Sequence, residues 1–314
     1  MDLFITTFES VAVLIGIGLI GFYIIKKEIL PNKVLSVLSP LALEIALPSL
    51  VFSRIITTFT PQEYPDWWLL PIWWGIFTLI SLGLTLVLMN ISEKKTKSEF
   101  AISLFYNNAI FFPLAILSGI FPNDPSYLVY LFFFSVFFPP MFFSTYFLFF
   151  KTGEKIKINI RRIIHPVLIA TFIALAISSI GLEISENNFI IKIFSILGAM
   201  TIPLLFLILG GNIYQDFKEK GKIQYIEILK FVIIKNFLFP IIFLIIILYF
   251  KEFISYHIAI ILLIQSAVPP VTAVPIVTER VGGNRAIVNQ FIVSSFIVSL
   301  GSIPFFIYLF TQLF

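Results

Sequence analysis

The fold class predicted for this chain is an all-α membrane protein with ten transmembrane helices. They are expected in two inverted five-helix repeats, with broken crossing helices 4 and 9. Three observations predict it. Apolar runs of about 20 residues recur along the chain, the length that crosses a hydrocarbon core of roughly 30 Å. Positive residues fall in every second loop. Prolines interrupt corresponding spans in both halves.

Only 12% of the 314 residues are charged and 59% are hydrophobic, with a mean hydropathy of +1.03. Soluble domains carry roughly 25% charged residues, so a water-soluble fold is excluded. Cysteine is absent, which excludes disulfides, thiol catalysis and thiolate metal sites. The net charge of +4 is spread over loops rather than gathered on one face, so nucleic acid is not an expected partner.

The expected spans lie near 3–25, 34–56, 67–89, 99–120, 126–150, 163–182, 188–213, 225–250, 256–278 and 286–312. Met1-Asp2-Leu3 lacks the basic start of a cleavable signal peptide, and the first run ends at Lys26-Lys27. That order puts the N-terminus outside. Sixteen of the 21 Lys and Arg residues then fall after spans 1, 3, 5, 7 and 9. They are Lys26, Lys27, Lys33, Lys94, Lys95, Lys97, Lys151, Lys155, Lys157, Arg161, Arg162, Lys218, Lys220, Lys222, Arg280 and Arg285. Positive loops stay cytoplasmic, so both termini are expected outside a multi-pass protein of the cell membrane. All four tryptophans (Trp67, Trp68, Trp73, Trp74) sit near the outer end of span 3, where an aromatic belt belongs.

The halves are expected at 1–150 and 163–314, joined by a cytoplasmic loop at 151–162. Ala46-Leu47-Pro48-Ser49-Leu50 in span 2 has a counterpart in Thr201-Ile202-Pro203-Leu204-Leu205 of span 7. Pro113 and Gly119 of span 4 likewise match Pro275 and Gly282 of span 9. Five spans per half force the second half into the membrane upside down, an arrangement characteristic of transporters.

Spans 4 and 9 cannot be plain helices. Each proline removes one N–H and displaces the carbonyl four residues earlier. Pro269 and Pro270 free the carbonyls of Gln265 and Ser266, and Pro113 frees that of Ala109 beside Asn107 and Asn108. Irregular backbone at this depth is tolerated only when buried in protein or lining a watery cavity. Asn108 is about 13 Å along span 4 from Glu99 at 1.5 Å per residue, near the bilayer midplane. Half-helix N-termini meeting there attract a carboxylate. A lone membrane proline would mean no more than a kink; mirrored breaks beside amides point to a binding site.

Two intramembrane charges, Glu44 in span 2 and Lys235 in span 8, lie at similar depth. Three readings stand open: a structural ion pair, Lys235 balancing an anionic substrate, or Glu44 carrying a proton. The four aspartates, Asp2, Asp66, Asp124 and Asp216, fall in loops or at the terminus, and no HExxH or GxSxG motif occurs. Neither enzyme chemistry nor a metal or cofactor is expected.

Leu47-Pro48-Ser49-Leu50-Val51-Phe52-Ser53, His165-Pro166, Thr201-Ile202-Pro203 through Gly210-Gly211, and Lys235 ahead of Pro240 resemble the auxin efflux carrier family. That family lies in the larger group that includes bile acid:sodium symporters. Ala267 to Pro270 followed by Glu279-Arg280-Val281-Gly282-Gly283-Asn284 carries the resemblance furthest. It covers nearly the whole chain and implies ten helices, a crossing of spans 4 and 9, and export of auxin-like or dicarboxylate anions. It also implies a carboxylate-binding role for Asn107 or Asn108 and the Pro269-Pro270 break. Family members usually have glycines near the span 4 asparagine, where this chain has Ala109, Ile110, Phe111 and Phe112.

The expected function is a secondary transporter of a small organic anion. Its substrate-binding set is Asn107, Asn108, Pro113, Gln265, Ser266, Pro269, Pro270 and Lys235, with Glu44 as a proton or ion-pair group. The expected partners are that anion and the lipid bilayer, with a homodimer as an open option. A sodium-coupled symporter of the bile acid type and a non-transporting membrane receptor are the alternatives.

Overall fold

The computed structural model describes residues 2–150, 166–181, 184–218 and 223–314. The expected connecting loop 151–162 and its five basic residues lie outside that description, as do His165, Lys220 and Lys222. All of the regular structure described is helical. The first half contains α1 (Asp2–Lys26), α2 (Val34–Pro40), α3 (Leu47–Thr58), α4 (Leu70–Leu88), α5 (Lys97–Phe105), α6 (Phe111–Ile120), α7 (Ser126–Ser135) and α8 (Phe138–Thr145). The second contains α9 (Pro166–Ser179), α10 (Phe189–Ala199), α11 (Thr201–Lys218), α12 (Tyr225–Ile233), α13 (Phe239–Tyr249), α14 (Tyr256–Ala267), α15 (Val274–Arg280) and α16 (Arg285–Leu313).

Among the described residues, seven helical stretches are long and apolar enough to cross a membrane: Phe4–Lys26, Val34–Thr58, Trp67–Ile91, Ser126–Phe149, Phe189–Gln215, Tyr225–Tyr249 and Arg285–Leu313. The remaining three expected spans are shorter helices. The stretch expected as span 4 contains α5 and α6, and that expected as span 9 contains α14 and α15; each of these helices is shorter than the roughly 20 residues of a full crossing. Span 6 is described only from Pro166.

The prolines explain where the long helices deform. Leu41–Ala46 winds as a π-helix just before Leu47-Pro48, and Ile234–Leu238 does the same before Phe239-Pro240. A wider turn accommodates the missing N–H and the bulk of the ring. Glu44 lies in the first π segment and Lys235 in the second.

Small residues set the packing of α1. A Cβ on Gly210 of α11 would overlap the Gly18 carbonyl, and one on Gly21 would overlap the Leu207 backbone. Glycine lets the two backbones close, the usual device where lipid offers no hydrophobic drive to associate. α3 packs against α9 and α10, and α2 against α11. These helices form one unit. The others gather around an aromatic core in which Phe231 stacks on Phe291 at 4.5 Å and meets Phe100 edge-on at 5.4 Å. α1, packing on α6 and α16, and α3, packing on α7, join the two groups.

Candidate functional site

α5 stops at Phe105 because the chain turns extended, and Asn107 forms an isolated antiparallel bridge with Pro270. The Asn108 N–H donates to the Pro269 carbonyl at 2.8 Å, and the Val271 N–H donates to the Tyr106 carbonyl at 2.9 Å. Two interrupted helices thus exchange the backbone bonds that their own continuation would have used.

Side chains complete the clasp. The Asn107 amide donates through Nδ2 to the Gln265 carbonyl at 3.0 Å and to Gln265 Oε1 at 2.5 Å. Gln265 Nε2 returns a bond to the Ala109 carbonyl at 2.7 Å. The carbonyls of Ala109 and Gln265 are those that Pro113 and Pro269 release, so each freed acceptor meets an amide from the opposite helix. Gln265 is 1% exposed and Asn107 4%; at that burial an unpaired amide costs about 1–3 kcal/mol.

Asn108 differs from its neighbour. Its Oδ1 accepts from the Phe111 N–H at 3.2 Å, at the first residue of α6. Its Nδ2 makes no hydrogen bond among the described residues, although the residue is 3% exposed. One amide donor beside a helix N-terminus is therefore uncommitted. Ser266 spends its hydroxyl on the Leu263 carbonyl at 2.6 Å, and Pro113, Pro269 and Pro270 are buried as backbone-shaping residues.

The suggested pairing of Glu44 with Lys235 is not found. Glu44 is exposed on the span packed with α9–α11, whereas Lys235 is buried in the other unit. Lys235 lies over the Phe239 ring at 5.1 Å and has no ion pair or hydrogen bond among the described residues. Residues of similar depth on two helices share no contact unless the helices face each other, and these do not. Neighbouring Asn236 donates to the Ser295 carbonyl at 3.0 Å, which ties the π segment to α16.

Sequence reasoning missed two buried carboxylates. Glu227 accepts from Ser92 Oγ at 2.6 Å, Thr96 Oγ1 at 3.3 Å, the Glu93 N–H at 3.3 Å and Lys230 Nζ at 2.7 Å. Glu99 Oε1 accepts from the Asn284 N–H at 2.8 Å. The available signal was an acid in the first turn of an apolar helix, where a surface residue would otherwise be expected. Lys230, one turn along the same helix, forms an ion pair with Glu227.

Residues 6–307 match the family described as membrane transport protein. No curated protein matches the chain.

Proposed function

Because this chain belongs to the membrane transport protein family, the family of the auxin efflux carriers, we propose that it is a secondary carrier for a small organic anion, binding a carboxylate at the α5–α6/α14–α15 clasp. The single observation that carries this reading is the uncommitted Asn108 Nδ2 beside the N-terminus of α6. A helix N-terminus and an amide N–H both favour negative charge. Asn107 and Gln265 hold the clasp shut, while Asn108 offers its donor to the ligand.

In this proposal spans 4 and 9 are the split helices, giving ten spans in two inverted halves with both termini outside. The unit of α1–α3 and α9–α11 moves relative to the rest, exposing the clasp to each side in turn. An inside-negative potential of 100 mV drives a monoanion outward by about 2.3 kcal/mol, so export of a monoanion needs no coupling ion. Lys235 lies in a π segment that packs on α14, the helix that ends at the clasp.

Binding of carboxylic acids to purified protein tests this. Asn108→Ala is expected to weaken binding about 10- to 150-fold, since a hydrogen bond to a charged group contributes about 1.5–3 kcal/mol. Undiminished binding and vesicle flux in that variant would remove the clasp as the site.

A further inference from the structure

A cavity of about 920 Å³ opens between α4, α5 and α8, its inner end at Tyr106, whose backbone carbonyl joins the clasp. Leu82, Leu86, Phe105 and Leu148 wall it, and Lys94 and Lys97 stand on its rim. Leu86 and Leu148 are 50% and 69% exposed, so the groove is open sideways along an apolar face. At its floor the Tyr106 and Thr145 hydroxyls bond each other at 2.7 Å.

Among the described residues, neither charge on the rim has a carboxylate partner. Lys97 bonds the neutral Asn90 Oδ1 at 2.6 Å, and Lys94 has no ion pair or hydrogen bond among the described residues. Among the described residues, each acid near the rim is engaged elsewhere. Glu93 holds Lys95 at 2.9 Å, Glu99 faces the Asn284 N–H, and Glu227 takes Lys230 with Ser92 and Thr96. Two cations without a carboxylate partner among the described residues, above an apolar slot, fit an anionic head on an apolar tail. The volume lies at the upper end of the roughly 300–1,000 Å³ of small-ligand pockets, more than a small acid fills.

We propose that this groove is a lipid site, taking an acyl chain of an acidic phospholipid with its phosphate between Lys94 and Lys97. Basic pockets between membrane spans bind anionic headgroups in this way. The site goes beyond the transport reading and requires only that the chain be embedded in a membrane.

The test is titration of the detergent-purified full chain with phosphatidylglycerol, and with phosphatidylcholine of the same chains, read by thermal shift. Each lysine should contribute about 5-fold to the preference for the acidic lipid. Lys94→Gln with Lys97→Gln should abolish that preference. Leu82→Trp, which fills the wall, should weaken both lipids. Lys251→Gln, in a different loop, should change nothing, and neither should Asn108→Ala, so failure here is separable from failure of the carboxylate site. Glycerol phosphate, which has the head without the chain, should produce no shift. Equal affinity for the two lipids, a preference that survives the double lysine variant, or a full shift with glycerol phosphate would each overturn the proposal.

Discussion

At the scale of single residues, adjacent asparagines do different work, and their variants should separate. Asn107→Ala removes two hydrogen bonds across the clasp and strands Gln265, so its expected effect is a loss of stability of about 1–3 kcal/mol, read as a lowered melting temperature. Asn108→Ala keeps the clasp and loses ligand affinity. Equal melting temperatures for the two variants would contradict this division. Glu227→Gln should also destabilise, because the carboxylate is 1% exposed and accepts from four donors, and charged acceptors make the stronger bonds. Lys230→Met should cost less, since that side chain is 31% exposed and water replaces part of the interaction.

At the scale of elements, the interruptions are backbone devices. Ala267 ends α14, and Pro269 and Pro270 hold the following chain extended, presenting the Pro269 carbonyl to Asn108. Replacing both prolines by alanine restores two N–H donors and lets the helix continue. The expected outcome is reduced vesicle flux without removal of any side-chain hydrogen bond; parental flux would show that the break is dispensable. The α1–α11 contact depends on glycine instead. Gly21→Leu should destabilise by 1–3 kcal/mol or more, as overpacking does, because backbone, not a flexible side chain, meets the new atoms.

At the scale of the molecule, the division into two helix units governs which residues interact. Glu44 and Lys235 belong to different units without a contact. Glu44→Gln and Lys235→Met should therefore have additive effects on stability, as distant sites do; partial recovery in the double variant would restore the ion pair. Topology is testable on the cysteine-free background. A cysteine at Glu93 should be labelled only from the cytoplasmic side and one at Asn123 only from outside, and the reverse pattern would end the N-out arrangement.

The all-helical class and the membrane setting were legible in the sequence because their causes are local. An apolar run buries its own polar backbone only as a helix, and proline removes a hydrogen bond wherever it stands. Pro113 and Pro269 thus marked the carbonyls of Ala109 and Gln265 as free acceptors. Their partners were not legible. Gln265 meets Asn107 across 158 residues, and Glu227 meets Ser92 across 135, pairings set by how helices cross. Depth along a span placed Glu44 level with Lys235, yet depth carries no information on which face of a helix a residue occupies. That facing comes from side-chain packing between helices, and it alone decided that, among the described residues, Asn107 closes the clasp, Asn108 keeps a free donor, and Lys235 has no carboxylate partner.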